Sequence, residues 1–278
     1  MSLIMTLLVR DEQDILEANM RYHLETGVDH IIVTDNLSVD STADIIDDFV
    51  RQGVATYIYE PHDTYSQARW VTRMAHVARE NIGAKWVVHS DADEFWMTPD
   101  AQDLKSYFEN IKFYNVVEAP RHDFICLEGD DTPFWQRMIY RKNKSLNSLG
   151  QPLPPKIAHR ALAGIKVEQG NHGISGLQGK RQTKSKLEIL HFPLRSQKQY
   201  LQKIRNGGKS YANNTELSQA VGSTWRKQYA ELRETGKLKF VENNIVSPQA
   251  CERMLAQGDI CQDTRLYDFF AAASGQPV

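Results

Sequence analysis

The sequence predicts an α/β fold: a mostly parallel central sheet flanked by helices, followed by a helical C-terminal region. Three observations predict it. Four apolar segments in the first hundred residues read as strands and alternate with segments of helical spacing. The first and fourth of those strands are almost continuously apolar, as strands covered on both faces must be. Beyond Ser196 the strand signals fade and helical periodicity takes over.

The first element is Leu3 to Val9, LIMTLLV, a strand without polar alternation. A helix follows over ILEANMRYHLETG, where Ile15, Leu16, Met20 and Leu24 share a face and Gly27 is a natural stop. His30 to Thr34 forms the second strand. STADIIDDFVRQG forms the second helix, with Ser41 as cap, Asp44 three residues on and Gly53 after its end. Val54 to Tyr59 is the third strand, Tyr65 to Ile82 a long helix, and WVVHS the fourth strand. Strands joined by helices imply βαβ units, whose ligands bind at the carboxyl ends of the strands. After Trp96 the rhythm breaks. VVEAPRHDFICL reads as a strand bent at Pro120, while Asn143 to Lys156 has the Asn, Ser, Gly and Pro content of a loop. Gly164 to Gly179 carries five glycines and is expected to be mobile. SQKQYLQKIRNGG, Ser218 to Thr235 and Pro248 to Ala256 read as helices. The expected domain organisation is residues 1–208 as the main domain and 209–278 as a helical extension packed on it.

The 278 residues suffice for one large domain with an appendage. A formal net charge of -2 gives no global field for nucleic acid or anionic membrane, so charge-based function must be local. Cys126, Cys251 and Cys261 are too few and too scattered for a disulfide framework or a zinc site. The opening apolar run meets charge at Arg10 and reads as a strand rather than a leader. No run approaches the roughly 18 apolar residues that span a bilayer. A cytoplasmic protein is expected, with peripheral contact at the inner face of the membrane left open.

The chemistry is densest in WVVHSDADEFW, Trp86 to Trp96. Asp91, Asp93 and Glu94 crowd the carboxyl end of the fourth strand. Alternate residues of an extended chain point the same way, so Asp91 and Asp93 are expected to converge. Converging carboxylates repel unless a cation neutralises them, and a hard divalent ion with oxygen ligands, Mg²⁺ or Mn²⁺, does so. Such an ion keeps positions for substrate phosphates. The other strand ends fit the same picture. Arg10, Asp11 and Glu12 follow the first strand and Asp35 ends the second. Asp35 suits either a nucleobase or ribose edge or plain turn chemistry. Gln67 and Arg69 open the long helix, where an anion is favoured, although Arg69 equally fits a surface charge.

These residues resemble a known family. LLVRDEQDILEANMRYHLETGVDHIIVTDNLSVDST, YSQARW and WVVHSDADEF, in that order, resemble glycosyltransferase family 2, in the family-2-like branch with an Asp-x-Asp-Glu-Phe motif. LHFPLRSQKQYLQKIRNGG, Leu190 to Gly208, is similar to the segment that closes that pattern, so the resemblance covers roughly residues 3 to 208. It implies the GT-A fold, a nucleotide-sugar donor with uridine the expected base, a divalent metal, and transfer of a sugar with inversion to a hydroxyl of a saccharide or glycolipid, in cell-surface polysaccharide or lipopolysaccharide synthesis. Carried over by position, Asp91 and Asp93 hold metal and diphosphate, His191 is a third metal ligand, Asp35 contacts the nucleotide, and Lys156 and Arg195 meet phosphate. Arg10, Asp11 and Glu12 stand where the family has a basic residue, Asn and Glu, so Asp11 is a departure. The family's acidic base pair is expected near Gly176 to Lys186, and GLQGKRQTKSK holds no carboxylate. Asp123 and His172 are then the candidate bases. The rival readings are a carbohydrate or nucleotide-sugar binding protein without catalysis and a metal-dependent phosphotransferase.

Overall fold

The computed structural model describes residues 1–99, 103–129, 132–146 and 150–273. The chain forms two compact units, Met1–Arg121 with Pro154–Ile189, and His122–Leu153 with Leu190–Val278. The expected division at residue 208 falls inside a helix, Gln197–Asn213.

Strands β1 (Leu3–Val9), β2 (His30–Asp35), β3 (Ala55–Tyr59) and β4 (Trp86–Asp91) alternate with helices α1 (Leu16–Glu25), α2 (Thr42–Arg51) and α3 (Gln67–Glu80). A turn leads to β5 (Glu94–Met97) and α4 (Leu104–Asn110), and the bent apolar segment divides into β6 (Val116–Ala119), β7 (Arg121–Asp123) and β8 (Cys126–Leu127). Then come α5 (Phe134–Arg137), β9 (Tyr140–Lys142), β10 (Lys156–Arg160), β11 (Lys166–Val167), a 3₁₀ turn at Gln169–Asn171, β12 (Ile174–Ser175), β13 (Gln182–Lys184) and β14 (Glu188–His191). The remainder is α6 (Gln197–Asn213), α7 (Ser223–Thr235), α8 (Lys239–Asn244), β15 (Ile245–Val246), α9 (Pro248–Gln257), β16 (Ile260–Gln262) and α10 (Arg265–Ala273).

In the first unit, seven strands form one sheet in the order β13-β6-β10-β4-β1-β2-β3. β1 pairs in parallel with both β2 and β4, β2 with β3, and β13 with β6. β10 runs antiparallel between β4 and β6. The apolar runs decide which strands are central: Leu3, Ile4, Met5, Leu7, Val87 and Val88 are all fully buried. Ile4, Ile32 and Val87 pack with Val71 and Met74 of α3 and Ile157 of β10. Each such side chain stabilises the fold by about 1.5–3 kcal/mol relative to exposure.

The sheet also buries a polar chain. His159 Nδ1 donates to the Arg160 carbonyl at 2.9 Å, so its Nε2 accepts from His89 Nε2 at 2.9 Å. His89 Nδ1 in turn accepts from the Thr6 hydroxyl at 2.7 Å. Burial holds the pKa of His159 down to about 4 and that of His89 well below the usual range. Both rings are therefore neutral, as this one-directional chain of donors requires.

Two local expectations fail. Ser41 makes no capping bond from its side chain; Asp40 Oδ1 accepts from the Thr42 amide at 2.9 Å instead. The glycine-rich stretch from Gly164 to Gly179 holds the antiparallel pair β11–β12 and docks on α3, where Thr72 Oγ1 accepts from the Val167 amide at 2.8 Å. Its glycines serve close approach: a Cβ on Gly176 would sit 2.1 Å from the Gly164 carbonyl oxygen.

In the second unit, α6 and α7 pack closely because Gly207 and Gly208 have no side chain. Added Cβ atoms there would meet the Trp225 ring at 2.4 Å and Tyr229 at 2.3 Å. Phe124, Phe134 and Phe192 form an aromatic cluster, with Phe124 and Phe192 stacked at 4.5 Å. In the loop expected from Asn143 to Lys156, residues 147–149 lie outside the described residues. Among the described residues no helix is long and apolar enough to cross a membrane.

Candidate functional site

The acidic turn between β4 and β5 is held from beneath by α1. Asn19, fully buried, donates through Nδ2 to the carbonyls of Ala92 at 2.9 Å and Glu94 at 2.7 Å. Ser90 Oγ donates to the same Glu94 carbonyl at 3.1 Å. His23 Nδ1 donates to the Asn19 carbonyl at 2.8 Å, and its Nε2 accepts from the Trp96 amide at 3.1 Å. That acceptor role needs a neutral ring, and burial lowers the His23 pKa to about 4. The turn is thus fixed by groups buried among apolar neighbours, and cannot relax without leaving carbonyls unpaired.

This geometry corrects the argument from alternation. Ala92 and Asp93 form a turn rather than extended chain, so the rule that sets Asp91 and Asp93 side by side does not apply. Asp93 is 2 % exposed. Glu94 shares a lysine with Asp91. Lys156, entering from β10, places Nζ 2.6 Å from Asp91 Oδ2 and 3.2 Å from Glu94 Oε2. Arg121 Nη1 lies 3.3 Å from Glu94 Oε1, and its Nε donates to the Pro154 carbonyl at 3.1 Å. Lys156 and Glu94 are almost wholly buried, while the Asp91 side chain keeps 34 % of its surface open. The charges Asp91 and Glu94 are matched by Lys156 and Arg121.

Two amides complete the surround of Asp91. Gln67, at the start of α3, reaches Asp91 Oδ1 at 3.4 Å, and Asn171 Nδ2 reaches the same oxygen at 3.3 Å. Gln67 Oε1 also accepts from the Gly170 amide at 3.1 Å, and Gln169 Oε1 accepts from the Ala68 amide at 3.0 Å. The turn Gln169–Asn171 is thereby fastened to the N-terminus of α3. Asn171 has a left-handed backbone, φ 60°, and its Oδ1 is a buried acceptor with no hydrogen-bond partner among the described residues. Arg69, two residues beyond Gln67 on α3, is exposed.

His172 follows directly. Its Nδ1 donates to the Pro155 carbonyl at 2.9 Å. Burial first, then the positive charges of Lys156 and Arg121, lower its pKa to about 4. At neutral pH the ring is uncharged and its Nε2 carries the lone pair.

The remaining predicted residues fall into two groups. In the first unit, Asp35 is buried, with Oδ1 accepting from the Ser38 amide at 3.0 Å and Oδ2 from the Tyr57 hydroxyl at 3.0 Å. Asp11, φ 53°, accepts from the Val39 amide at 2.7 Å, Arg10 pairs with Asp63 at 2.7 Å, and the buried Glu12 donates its amide to Thr42 Oγ1 at 2.9 Å. These groups lace together the loops after β1, β2 and β3. In the second unit, His191 Nδ1 and Asp123 Oδ1 are 2.7 Å apart, so Asp123 is committed to an imidazole. Arg195 is buried and donates to the Phe192 carbonyl at 3.1 Å. Sequence reasoning missed Arg121 and Asn171, neither of which carries a spacing signal.

Among the described residues, no group of three or more His, Cys, Asp and Glu side chains is gathered to hold a metal; of the expected ligands, Asp91 and Asp93 belong to the first unit and His191 to the second. Asp91 by itself fits a different arrangement. It is a hard oxygen donor, open to solvent, in a cluster whose two negative charges are already balanced by Lys156 and Arg121. A diphosphate would bring uncompensated charge, and Mg²⁺ or Mn²⁺ is commonly held by one or two carboxylates with substrate phosphates as the other ligands.

No protein-family model matches the chain, and no curated protein matches it. Solved structures resemble it distantly. The S. aureus TarS 1–349 structure in complex with UDP-GlcNAc superposes with a TM-score of 0.47 at 11% identity, over 83% of this chain and 72% of that one. TarS 1–349 in complex with UDP gives 0.45 at 11%, over 84% and 72%. Glucosyl-3-phosphoglycerate synthase from Mycobacterium tuberculosis, in complex with Mg²⁺ and UDP, gives 0.31 at 16%, over 43% of each chain.

Proposed function

We propose that the protein is a glycosyltransferase of the GT-A type that takes a nucleotide sugar, with uridine diphosphate as its leaving group, and transfers the sugar to a hydroxyl. The observation that carries this reading is the charge-balanced cluster of Asp91, Glu94, Lys156 and Arg121 at the carboxyl end of β4, beside a neutral imidazole. A parallel sheet presents its ligands at that end, and the order of motifs along the chain is the one family 2 enzymes share.

Asp91 would hold a divalent ion with the donor's diphosphate, and that ion, when bound, neutralises charge on the departing nucleotide. Lys156, 2.6 Å from Asp91 Oδ2, aims that carboxylate, and its ammonium is a second partner for phosphate oxygen. Asn171 Oδ1 supplies an acceptor for a hydroxyl of the donor. His172 Nε2 takes the proton of the acceptor hydroxyl as its oxygen bonds to the anomeric carbon; the bond from that carbon to the diphosphate breaks, and its electron pair leaves with the nucleotide. Attack opposite the leaving group inverts the configuration. Holding Nδ1 on the Pro155 carbonyl fixes the tautomer this role needs. Asp123, bound to His191, is not the base in this scheme.

The test is a panel of nucleotide sugars assayed with Mn²⁺ for thermal stabilisation and for release of the nucleotide. One donor at 100 times its Kd stabilises the protein by about 2.7 kcal/mol, and its nucleotide is released when acceptor is present. Saccharide binding without metal-dependent stabilisation by any nucleotide sugar would make the protein a binding module instead.

A further inference from the structure

The opposite end of the same sheet carries a surface that the proposed reaction does not use. The loop Lys112–Asn115 between α4 and β6 raises two aromatic rings into solvent. Phe113 is 75 % exposed and Tyr114 43 %, and Leu162, just beyond β10, is 41 % exposed. Single exposed apolar residues are ordinary, but three grouped together need a reason. Lys112, Lys180 and Arg181 surround them, all exposed.

The grouping is built into the fold. Arg160, whose guanidinium stacks 4.9 Å over the Trp86 ring, donates through Nη2 to the Ile111 carbonyl at 2.6 Å and through Nε to the Tyr114 carbonyl at 3.3 Å. Asn115 clasps the neighbouring loop, donating to the Gly179 carbonyl at 3.0 Å and accepting from the Arg181 amide at 2.7 Å. The loop therefore cannot fold back to hide Phe113. Glu109 pairs with the Met1 amine at 3.1 Å, and Glu118 accepts from Gln182. Local charge at the tip is positive, although the chain's formal net charge is -2.

From this we infer that the surface formed by Lys112, Phe113, Tyr114, Leu162, Lys180 and Arg181 docks the protein on an anionic lipid bilayer. The chemistry is complementary on both counts. Aromatic rings with a polar tip settle at the boundary between headgroups and acyl chains. Lysine and arginine beside them meet lipid phosphate, each adding to partitioning at an anionic surface. β4 runs from Trp86 at this surface to Asp91 at the site, so about six residues of strand, roughly 20 Å, separate the two. Docking would hold the protein at the membrane while the Asp91 end stays open to solutes. The inference does not depend on the proposed reaction.

Co-sedimentation with vesicles of phosphatidylcholine, with and without phosphatidylglycerol, tests it. The wild-type protein should bind the anionic vesicles, lose them as salt is raised, and ignore the neutral ones. Lys112→Gln and Arg181→Gln should each lower partitioning about fivefold, and Phe113→Ser about tenfold, with thermal unfolding and nucleotide binding unchanged. Equal binding to neutral and anionic vesicles, or binding indifferent to all three substitutions, overturns the inference. Retention on immobilised polyglutamate without vesicle binding would replace it with an acidic protein partner.

Discussion

The two ends of the central sheet are built on opposite plans. At the carboxyl end of β4 the charged groups are internally matched, and all but Asp91 are largely buried: Lys156 answers Asp91 and Glu94, and Arg121 answers Glu94. At the other end charges and rings stand in solvent, and only their backbone is clamped. A buried, matched cluster discriminates, because any misplaced ligand atom leaves a desolvated group without a partner. An exposed basic and aromatic surface adheres to a wide, ill-defined target and tolerates substitution.

The contrast can be broken most severely at Lys156. Lys156→Met leaves the buried Glu94 with Arg121 alone and Asp91, which is partly open to solvent, without its ammonium partner, and denaturant unfolding should show a loss of about 3 kcal/mol. A loss below 1 kcal/mol would mean that the cluster is solvated and the contrast false. His172→Ala should leave the fold intact and lower kcat by about 10²–10⁴-fold with little change in KM. In the wild type the base stays deprotonated down to about pH 4, so kcat/KM should hold through pH 6 and 5 and fall only near 4. A limb near pH 6.5 would remove His172 from the role.

Acid sharpens the contrast further. His23 and His159 have pKa values lowered from 6.5 to about 4. Between those limits the unfolded chain binds protons that the folded chain refuses, so stability is complete above about pH 6.5 and falls as pH drops toward 4. Each ring contributes up to about 3 kcal/mol to that loss. Unfolding measured from pH 7.5 to 4.5 should show the decline, and a flat profile would contradict the neutral buried chain. The smallest effect belongs to the exposed end: Phe113→Ser should change stability by less than about 0.5 kcal/mol.

The same contrast explains what the sequence could reveal. β1 to β4 were legible because their apolar runs alternate with helical spacing, and Asp91 stood out because it ends such a run. β10 is central too, yet reads KIAHR, since Lys156 and His159 find their partners inside the sheet. Two of the partners of Asp91, Lys156 and Asn171, lie 65 and 80 residues away, and no local pattern encodes such pairings. The alternation argument for Asp93 failed because the chain turns at Ala92, and the turn depends on Asn19, 73 residues earlier. The glycines from Gly164 to Gly179 read as a mobile loop because close packing and flexibility leave the same mark in a sequence.

The central claim is that Asp91 receives the diphosphate of a uridine nucleotide together with a divalent ion. Calorimetric titration of UDP with Mn²⁺ into wild type and Asp91→Asn tests it most directly, because asparagine keeps the shape and leaves Lys156 its second partner, Glu94. The account predicts Mn²⁺-dependent UDP binding in the wild type, weakened at least about tenfold in the variant, consistent with loss of a charged interaction of about 1.5–3 kcal/mol, at unchanged unfolding temperature. Equal affinity in the two proteins, or wild-type binding indifferent to chelation of the metal, would contradict it.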